Sequence, residues 1–153
     1  MQARSLLLVS LCLAAFATTG CATPAVGDPC LPEQVPEDGF VDSEAYVESS
    51  SVQCETRVCI VYHLDGDPRK DCPERGGCVP VNAGDCEEEG VLKCADGADV
   101  ENRVYCTCRC DSGNTGFAEC ECPDGFSCVD VLEQGGPGVR GGYCVRNGSA
   151  LQQ

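Results

Sequence analysis

Hydrophobic residues occur along this chain in two patterns. The first is a continuous apolar run near the start, from Leu6 to Phe16. Beyond it, apolar residues come in short β-branched or aromatic runs separated by polar residues, at Ala45–Glu48, Val52–Thr56 and Arg57–Tyr62. Such runs are typical of short strands. After the apolar run, no window of twelve residues shows the 3.6-residue period of a helix, so we expect little helix.

The clearest alternation lies near the middle of the second half of the chain. In Val104–Cys110 every second residue is a valine or a cysteine, and the two-residue period of a strand places these on one face. Asp111–Gly116 has the composition of a turn, and Phe117–Cys122 again places its cysteines on one face. The pattern predicts a β-hairpin with five cysteines on its inner face. Because directly opposed strand positions suit disulfide geometry poorly, we expect these cysteines to bond to other segments.

Cysteine changes the prediction that composition alone would give. From position 21 onward, Leu, Ile, Val and Phe make up 25 of 133 residues, and so few apolar residues with a high net charge are typical of disorder. The chain, however, has 16 cysteines, a density typical of disulfide scaffolds from oxidising compartments. We therefore predict a small, disulfide-rich, mostly β or irregular fold, in which about seven disulfides staple short strands and hairpins. The candidate disulfide cysteines are Cys30, Cys54, Cys59, Cys72, Cys78, Cys86, Cys94, Cys106, Cys108, Cys110, Cys120, Cys122, Cys128 and Cys144.

Metal binding is the competing use of cysteine. Zinc ribbons, thioredoxin-like sites and c-type haem all need two cysteines separated by two residues, and this spacing occurs nowhere in the chain. The spacing of Cys106, Cys108 and Cys110, and of Cys120 and Cys122, is similar to that of metallothioneins. An exported chain meets oxidants before it meets much free soft metal. We therefore favour disulfides and predict no metal site and no cofactor.

The apolar run predicts export. It follows Arg4 and is too short for a membrane span of roughly 20 residues, so residues 1–20 fit a secretory signal peptide. Thr18–Cys21 resembles a bacterial lipobox, in which Cys21 is lipidated and becomes the first residue. Cleavage after Ala17 is the alternative. Lipidation leaves 14 other cysteines, an even number, whereas cleavage after Ala17 leaves 15 and strands one thiol.

These segments define the expected organisation of the chain. It has a signal peptide at 1–20, a lipidated cysteine with a flexible acidic and proline-bearing tether at 21–39, a disulfide-rich domain at 40–148 and a tail at 149–153. The domain is either one unit or two lobes, 40–94 and 95–148. A weak internal repeat favours two lobes, because Cys72–Val79 and Cys122–Val129 share the pattern Cys-Pro-acid-x-x-x-Cys-Val.

Acidic residues dominate the charge. There are 25 Asp and Glu against ten Lys and Arg, and the net charge is −15. Nucleic acid is therefore not an expected partner, because phosphate binding relies on clusters of Lys and Arg. On the outer face of the predicted hairpin, Arg109 is expected beside Glu119 or Glu121. Such an exposed pair contributes at most about 1 kcal/mol.

Residues suited to catalysis are few. His63 is the single histidine and stands in no motif, so we interpret it as a surface residue beside the turn Asp65–Pro68. Gly135–Gly142 lacks the Lys-Ser/Thr ending of a phosphate-binding loop and is predicted to be a mobile surface loop. We predict no catalytic residue.

Two groups of acidic residues suggest calcium. The first contains Asp65, Asp67 and Asp71, and the second contains Asp96, Asp99 and Glu101. In the first group Arg69 stands where an EF-hand needs an oxygen ligand. We therefore expect no more than weak adventitious calcium binding.

Two resemblances complete the prediction. Cys120–Cys128, with its Cys-x-Cys-x-x-Gly-Phe pattern, is similar to the ending of EGF-like modules. With the lipobox at Cys21 and the Gly-Asp-Pro-Cys that ends at Cys30, the whole chain looks like the uncharacterised cysteine-rich lipoproteins of myxobacteria. This resemblance implies an envelope location and no established activity.

The functional hypothesis is a non-enzymatic lipoprotein of the cell envelope, acting as a disulfide-stabilised binding or structural module. The residue after the anchor is Ala22 rather than aspartate, which favours the outer membrane of a Gram-negative cell. The expected partners are the membrane, through the lipid, and an envelope or extracellular protein. The alternative is a soluble secreted inhibitor of proteases or a toxin-like factor, for which 132–143 is the candidate loop.

Overall fold

A computed structural model describes residues 25–79, 91–113 and 116–149. They form six strands, one short α-helix and one turn of 3₁₀-helix. In chain order these are β1 (Ala45–Glu48), β2 (Val58–Tyr62), the 3₁₀ turn (Pro73–Arg75), α1 (Gly97–Arg103), β3 (Val104–Thr107), β4 (Arg109–Asp111), β5 (Phe126–Leu132) and β6 (Gly141–Arg146). The predicted fold class, small, disulfide-rich and mostly β, is confirmed.

The first sheet is antiparallel, in the order β1-β2-β3. Its central strand β2 reads Val-Cys-Ile-Val-Tyr, and its last four residues are buried. Alternation along β2 sends Cys59 and Val61 into one hydrophobic cluster and Ile60 and Tyr62 into another. The strand therefore lies between two small cores, which explains why it is apolar at consecutive positions rather than at every second one.

The second sheet is also antiparallel, in the order β4-β6-β5, and it covers one face of the first. Tyr143 and Val145 of β6 pack in the same cluster as Ile60 and Tyr105. The Thr107 hydroxyl donates to the Cys144 carbonyl at 2.7 Å. The core of the protein therefore lies between the two sheets and on the far side of β2.

The disulfides divide into two groups, one for each sheet. Those around the first sheet are Cys30–Cys59, Cys54–Cys106 and Cys72–Cys94. Those of the second sheet are Cys108–Cys120, Cys110–Cys128 and Cys122–Cys144. The chain passes from the first group of disulfides to the second between Thr107 and Cys108. The suggested lobe boundary at 94/95 lies earlier, before β3, and β3 pairs with β2 of the first sheet.

The predicted strands differ in outcome. Ala45–Glu48 is confirmed, and the run at 57–62 contains β2. The prediction of a strand at Val52–Thr56 is wrong, because this segment is a tight loop in which the Arg57 amide donates to the Cys54 carbonyl at 3.0 Å. Arg57 has φ of 64°. The loop turns Cys54 inward to its partner, and that requirement overrides the β-branched composition.

The predicted hairpin is also wrong. The first strand breaks at Cys108 into β3 and β4, and Phe117–Cys122 contains no strand. The Cys120 amide donates to the Arg109 carbonyl at 2.9 Å, which joins the two segments. Cys108 and Cys120 bond to each other, against the expectation that hairpin cysteines reach other segments, because an irregular second segment removes the constraint of opposed strands. The other three hairpin cysteines do bond elsewhere.

The described part of the predicted tether, 25–39, is bonded to the folded domain. The Gly27 amide donates to the Cys106 carbonyl at 2.8 Å, and Pro29 forms a β-bridge with Tyr105. The Arg146 guanidinium lies 5.2 Å from the ring centroid of Tyr105 and donates to the Gly27 carbonyl at 3.0 Å. The N-terminal segment therefore covers the free edge of β3, and Arg146 ties it to the second sheet.

The internal repeat has a counterpart in the disulfides. In each copy the first cysteine bonds to a cysteine 22 residues further on. These bonds are Cys72–Cys94 and Cys122–Cys144. The strand pairing differs, because Cys78 forms a parallel bridge whereas Cys128 lies in an antiparallel ladder. The two copies thus share a disulfide span without sharing a local topology.

Candidate functional site

The candidate cysteines lie almost entirely within the described residues. All thirteen of those described are disulfide-bonded, Cys78 included, while Cys86 and Cys21 lie outside the described residues. A chain with this many disulfides is an exported protein. Among the described residues, no helix is long and apolar enough to cross a membrane.

An apolar groove of 1020 Å³ lies on the surface of the described residues. It lies between the N-terminal segment, the loop after Asp67 and helix α1. Its apolar wall residues are Pro29, Leu31, Pro68, Pro73, Val79, Val100 and Val104. The volume is at the upper end of the range of small-molecule sites, roughly 300–1,000 Å³, and such sites are mostly apolar with a few polar groups.

Each wall of the groove is fixed by a different contact. The N-terminal wall is held by the Cys30–Cys59 disulfide and by the bridge of Pro29 to β3. Helix α1 is capped at its N-terminus by Asp96, whose side chain accepts a hydrogen bond from the Ala98 amide at 2.8 Å. Val100 packs from this helix against the first core. The groove is therefore built by disulfides and a helix cap rather than by a large core.

Asp67 fixes the third wall. Its carboxylate is completely shielded from solvent and accepts from the Arg69 guanidinium at 2.7 Å and the Arg75 guanidinium at 2.5 Å. Burial alone raises the pKa of Asp67, but the hydrogen bonds from Arg69 and Arg75 outweigh it and hold the pKa of this carboxyl below its ordinary value. The predicted turn at Asp65–Pro68 is thus an anchored strand-like segment, in which Gly66 bridges to Phe40 and Asp67 to Cys94.

Some polar residues of the groove have ion-pair partners, and others do not. Arg69 is bonded to Asp67, and Asp71 forms an ion pair with Arg75 at 3.2 Å. Lys70 lies at the groove and is exposed, and no described carboxylate lies within ion-pair distance of its ammonium group. Lys70 therefore offers the groove a positive charge in a strongly acidic protein.

Five of the six carboxylates suggested for calcium, all except Glu101, already have partners. In the first group Asp65 pairs with Lys93, Asp67 with two arginines and Asp71 with Arg75. In the second, Asp96 caps α1 and Asp99 pairs with Arg103 at 3.6 Å. Among the described residues neither group is a preformed oxygen cage, so weak calcium binding stays a prediction.

His63 has structural contacts. Its Nδ1 atom is hydrogen-bonded to the Asp42 carbonyl, and its ring packs edge-on against Tyr62 at 4.3 Å between centroids. The backbone has φ of 53°, and the His63 carbonyl accepts from the Arg103 guanidinium at 3.0 Å. This histidine therefore shapes the end of β2.

The glycine-rich loop between β5 and β6 is exposed, and side chains of the second sheet are hydrogen-bonded to its backbone. Arg109 donates to the carbonyls of Pro137 and Gly138 at 3.2 and 2.9 Å, and the Tyr143 hydroxyl donates to the Val139 carbonyl. Gly141 closes the loop with φ of 130°, and a Cβ there would lie 2.0 Å from the Asp111 carbonyl oxygen. The prediction of a mobile loop did not anticipate these three side-chain bonds.

Arg109 is also placed differently from the predicted ion pair. Its guanidinium stacks on the ring of Phe117 at 4.6 Å and turns to the loop carbonyls. Glu119 instead accepts from the hydroxyl and amide of Ser112 at 2.6 and 2.9 Å, and these bonds lower its pKa. The irregular course of 117–122 accounts for the difference, since no second strand sets Glu119 opposite Arg109.

Sequence reasoning missed the groove and the buried carboxylate. The sequence signal for Asp67 is its place between Gly66 and Pro68 with Arg69 two residues on, which permits the local bond between Asp67 and the Arg69 amide at 2.8 Å. The groove has no local signal, because its walls come from three separate segments. No protein-family model, no curated protein and no solved structure matches the chain. The EGF-like and lipoprotein resemblances stay predictions.

Proposed function

We propose that the protein is an exported lipoprotein of the cell envelope, anchored through Cys21, whose disulfide-bonded domain is a non-enzymatic binding module. The observation that carries the binding role is the apolar groove, which is built from rigidly fixed walls. Pockets of this size and lining are the usual sites of small apolar ligands.

Cysteine accounting supports lipidation. Twelve of the thirteen described cysteines bond to one another, which leaves Cys78 as the single described cysteine with a partner elsewhere. The partner of Cys78 is therefore one of the three remaining cysteines, Cys12, Cys21 and Cys86. With Cys12 inside the signal sequence and Cys86 inside the domain, a Cys21 free for acylation is the simplest arrangement.

The length of chain between Cys21 and the described domain limits how far the domain can be from an anchor at Cys21. Gly27 lies six residues after Cys21 in the sequence, and its amide donates a hydrogen bond to the Cys106 carbonyl. A fully extended segment of that length spans about 20 Å. The wall of the groove at Pro29–Leu31 follows directly, so the groove lies near the membrane surface in the anchored protein.

The ligand that fits this position is a long-chain fatty acid or another acyl chain with an anionic end. Leu31, Val79 and Val100 offer contact to an apolar chain, and burial of apolar surface contributes about 25 cal/mol per Å². Lys70 at the rim offers an ion pair to a carboxylate. An acyl ligand is also the class of molecule that a site beside a bilayer meets most often.

Fatty acid binding tests the groove. The Cys21→Ala protein, which lacks the anchor, is expected to bind the fluorescent fatty acid cis-parinaric acid saturably and to release it on addition of palmitate. Leu31→Glu places a carboxylate in the wall and is expected to weaken binding by about tenfold or more, equivalent to roughly 1.4 kcal/mol. Val52→Glu is the matched control, because Val52 is 67% exposed and lies outside the groove.

The head group is tested separately. Lys70→Ala is expected to weaken the fatty acid severalfold and to leave the corresponding fatty alcohol unchanged. The proposal fails if the parent protein shows no saturable binding, or if Leu31→Glu and Val52→Glu weaken it equally. Equal effects of Lys70→Ala on acid and alcohol would contradict the ion pair alone.

Intact mass tests the anchor. We expect the natively expressed protein, alkylated without reduction, to have the mass of residues 21–153 plus acyl chains and to carry no alkyl group. The Cys21→Ala chain is the control and is expected to lack the added lipid. A lipid-free mass that begins at Thr18 would instead support the soluble alternative.

A further inference from the structure

Two of the three disulfides of the second sheet are in direct contact. The Cys144 Sγ lies 3.7 Å from the Cys108 Sγ and 3.7 Å from the Cys120 Sγ, so the Cys122–Cys144 bond lies against the Cys108–Cys120 bond. Thiol–disulfide exchange requires one sulfur to approach another disulfide. These two disulfides already meet that requirement.

The third disulfide joins the same group on its other side. The Sγ atoms of Cys110, Cys122 and Cys144 all lie within 4.8 Å of one another, and Cys110 is bonded to Cys128. The sulfur atoms therefore form a continuous series from Cys128 through Cys122–Cys144 to Cys108. We call these three disulfides the sulfur series.

Exposure differs along the sulfur series. Cys128 is exposed, Cys110, Cys120 and Cys122 are half-buried, and Cys108 and Cys144 are buried. A thiol from solution therefore reaches the series most easily at Cys128. The first sheet provides a natural control, because Cys30, Cys54 and Cys106 also lie within 4.8 Å of one another but all are buried.

We propose that the sulfur series is a thiol–disulfide exchange site that accepts a thiol at Cys128 and transfers the exchange inward. In the first step an external thiolate attacks the Cys128 Sγ. A mixed disulfide forms there, the Cys110–Cys128 bond breaks and Cys110 leaves as a thiolate. The reactant is a small thiol or dithiol of the cell envelope, and the exchange is stoichiometric rather than enzymatic. This activity is independent of ligand binding in the groove.

The next steps conserve one thiolate and one disulfide each. The Cys110 thiolate attacks Cys122, which forms Cys110–Cys122 and releases the Cys144 thiolate. That thiolate attacks Cys120, at 3.7 Å, which forms Cys120–Cys144 and releases Cys108. When the reductant is a dithiol, its second thiol attacks the mixed disulfide, frees Cys128 and leaves the reductant as a cyclic disulfide. The protein then has two free thiols, Cys108 and Cys128, which were not bonded to each other at the start.

Substoichiometric reduction followed by mapping tests this proposal. The oxidised protein is treated briefly with glutathione or dithiothreitol, quenched with N-ethylmaleimide and digested without reduction. Trypsin cleaves at Arg109, between Cys108 and Cys110, and a glutamate-specific protease cleaves at Glu121, between Cys120 and Cys122. Fragment spectra then assign each label and each new disulfide.

After glutathione, the expected labels are at Cys108 or Cys120, with glutathione retained on Cys128 and new bonds between Cys110 and Cys122 or Cys144. After dithiothreitol, Cys128 is expected to be labelled as well. We expect labelling in the sulfur series to exceed that of any cysteine around the first sheet by about tenfold or more, because buried disulfides are protected from attack. Labels confined to Cys110 and Cys128 would show local reduction without transfer and overturn the proposal. Equal labelling of all described cysteines would overturn it as well.

Paired variants locate the entry point. Replacing Cys110 and Cys128 together by alanine removes the exposed disulfide without leaving a free thiol, and labelling at Cys108 and Cys120 is then expected to fall to the level of the first sheet. Replacing Cys72 and Cys94 together is the matched control and is expected to leave transfer unchanged. Unchanged transfer without Cys128 would overturn the proposal, and if that variant does not fold, the map of the parent protein decides.

Discussion

Replacing Cys54 and Cys106 together by alanine is expected to lower the free energy of unfolding by about 4 kcal/mol, because the bond closes a span of 52 residues. It joins the loop before β2 to β3, and both cysteines are buried in the first core. A domain of this kind has a total stability of roughly 5–15 kcal/mol. The variant therefore loses a large share of its stability.

Urea unfolding followed by tyrosine fluorescence measures the loss, since the chain has four tyrosines and no tryptophan. The matched control replaces Cys108 and Cys120, which span 12 residues and are expected to contribute about 3 kcal/mol. Complete reduction is expected to unfold the protein. A reduced chain that keeps cooperative unfolding would contradict the view that disulfides replace a large core.

Asp67→Ala is expected to lower the free energy of unfolding by about 3 kcal/mol at neutral pH, because it removes the buried partner of two arginines. The value is at the low end for a broken buried pair, since Arg69 and Arg75 are 33% and 35% exposed and can turn to water. Asp65→Ala is the control. It removes an exposed pair with Lys93 and is expected to have an effect below about 1 kcal/mol.

The pH dependence distinguishes the charge from simple packing. The pKa of Asp67 is lowered in the folded protein from its ordinary value, so the ionised carboxylate stabilises the fold at pH values above the unfolded pKa, about 3.9. This contribution is lost as the pH falls through the lowered folded pKa. The difference between the parent and Asp67→Ala is therefore expected to shrink below about pH 4. A difference that stays constant down to pH 2 would indicate lost packing alone.

Local pattern predicted the strands that need only local information. The strands β1 and β2 follow from β-branched and aromatic runs, and they pair with each other across a short stretch of sequence. The same reasoning failed at Val52–Thr56, where the position of Cys106 across the fold sets the path of the chain. It failed again at Phe117–Cys122, where a disulfide from Cys120 to Cys108 replaces strand pairing.

The functional surfaces depend on long-range contacts that a single sequence does not specify. Cysteine number and spacing predicted a disulfide framework, but not that Cys144 would lie against two other bonds. Composition predicted a small core, but not that three fixed segments would enclose a groove beside Leu31. Composition does not single out Asp67 among the acidic residues, because its bond to Arg75, eight residues away, depends on the fold.

The loop between β5 and β6 has a thermodynamic consequence for recognition. Arg109 and Tyr143 already hold three successive carbonyls of this loop, and Arg140 beside them is exposed. The loss of conformational entropy that normally accompanies ordering of a glycine-rich segment has therefore occurred during folding. A partner that contacts this loop binds a preformed shape, and preorganisation of this kind favours affinity by removing the ordering term from association.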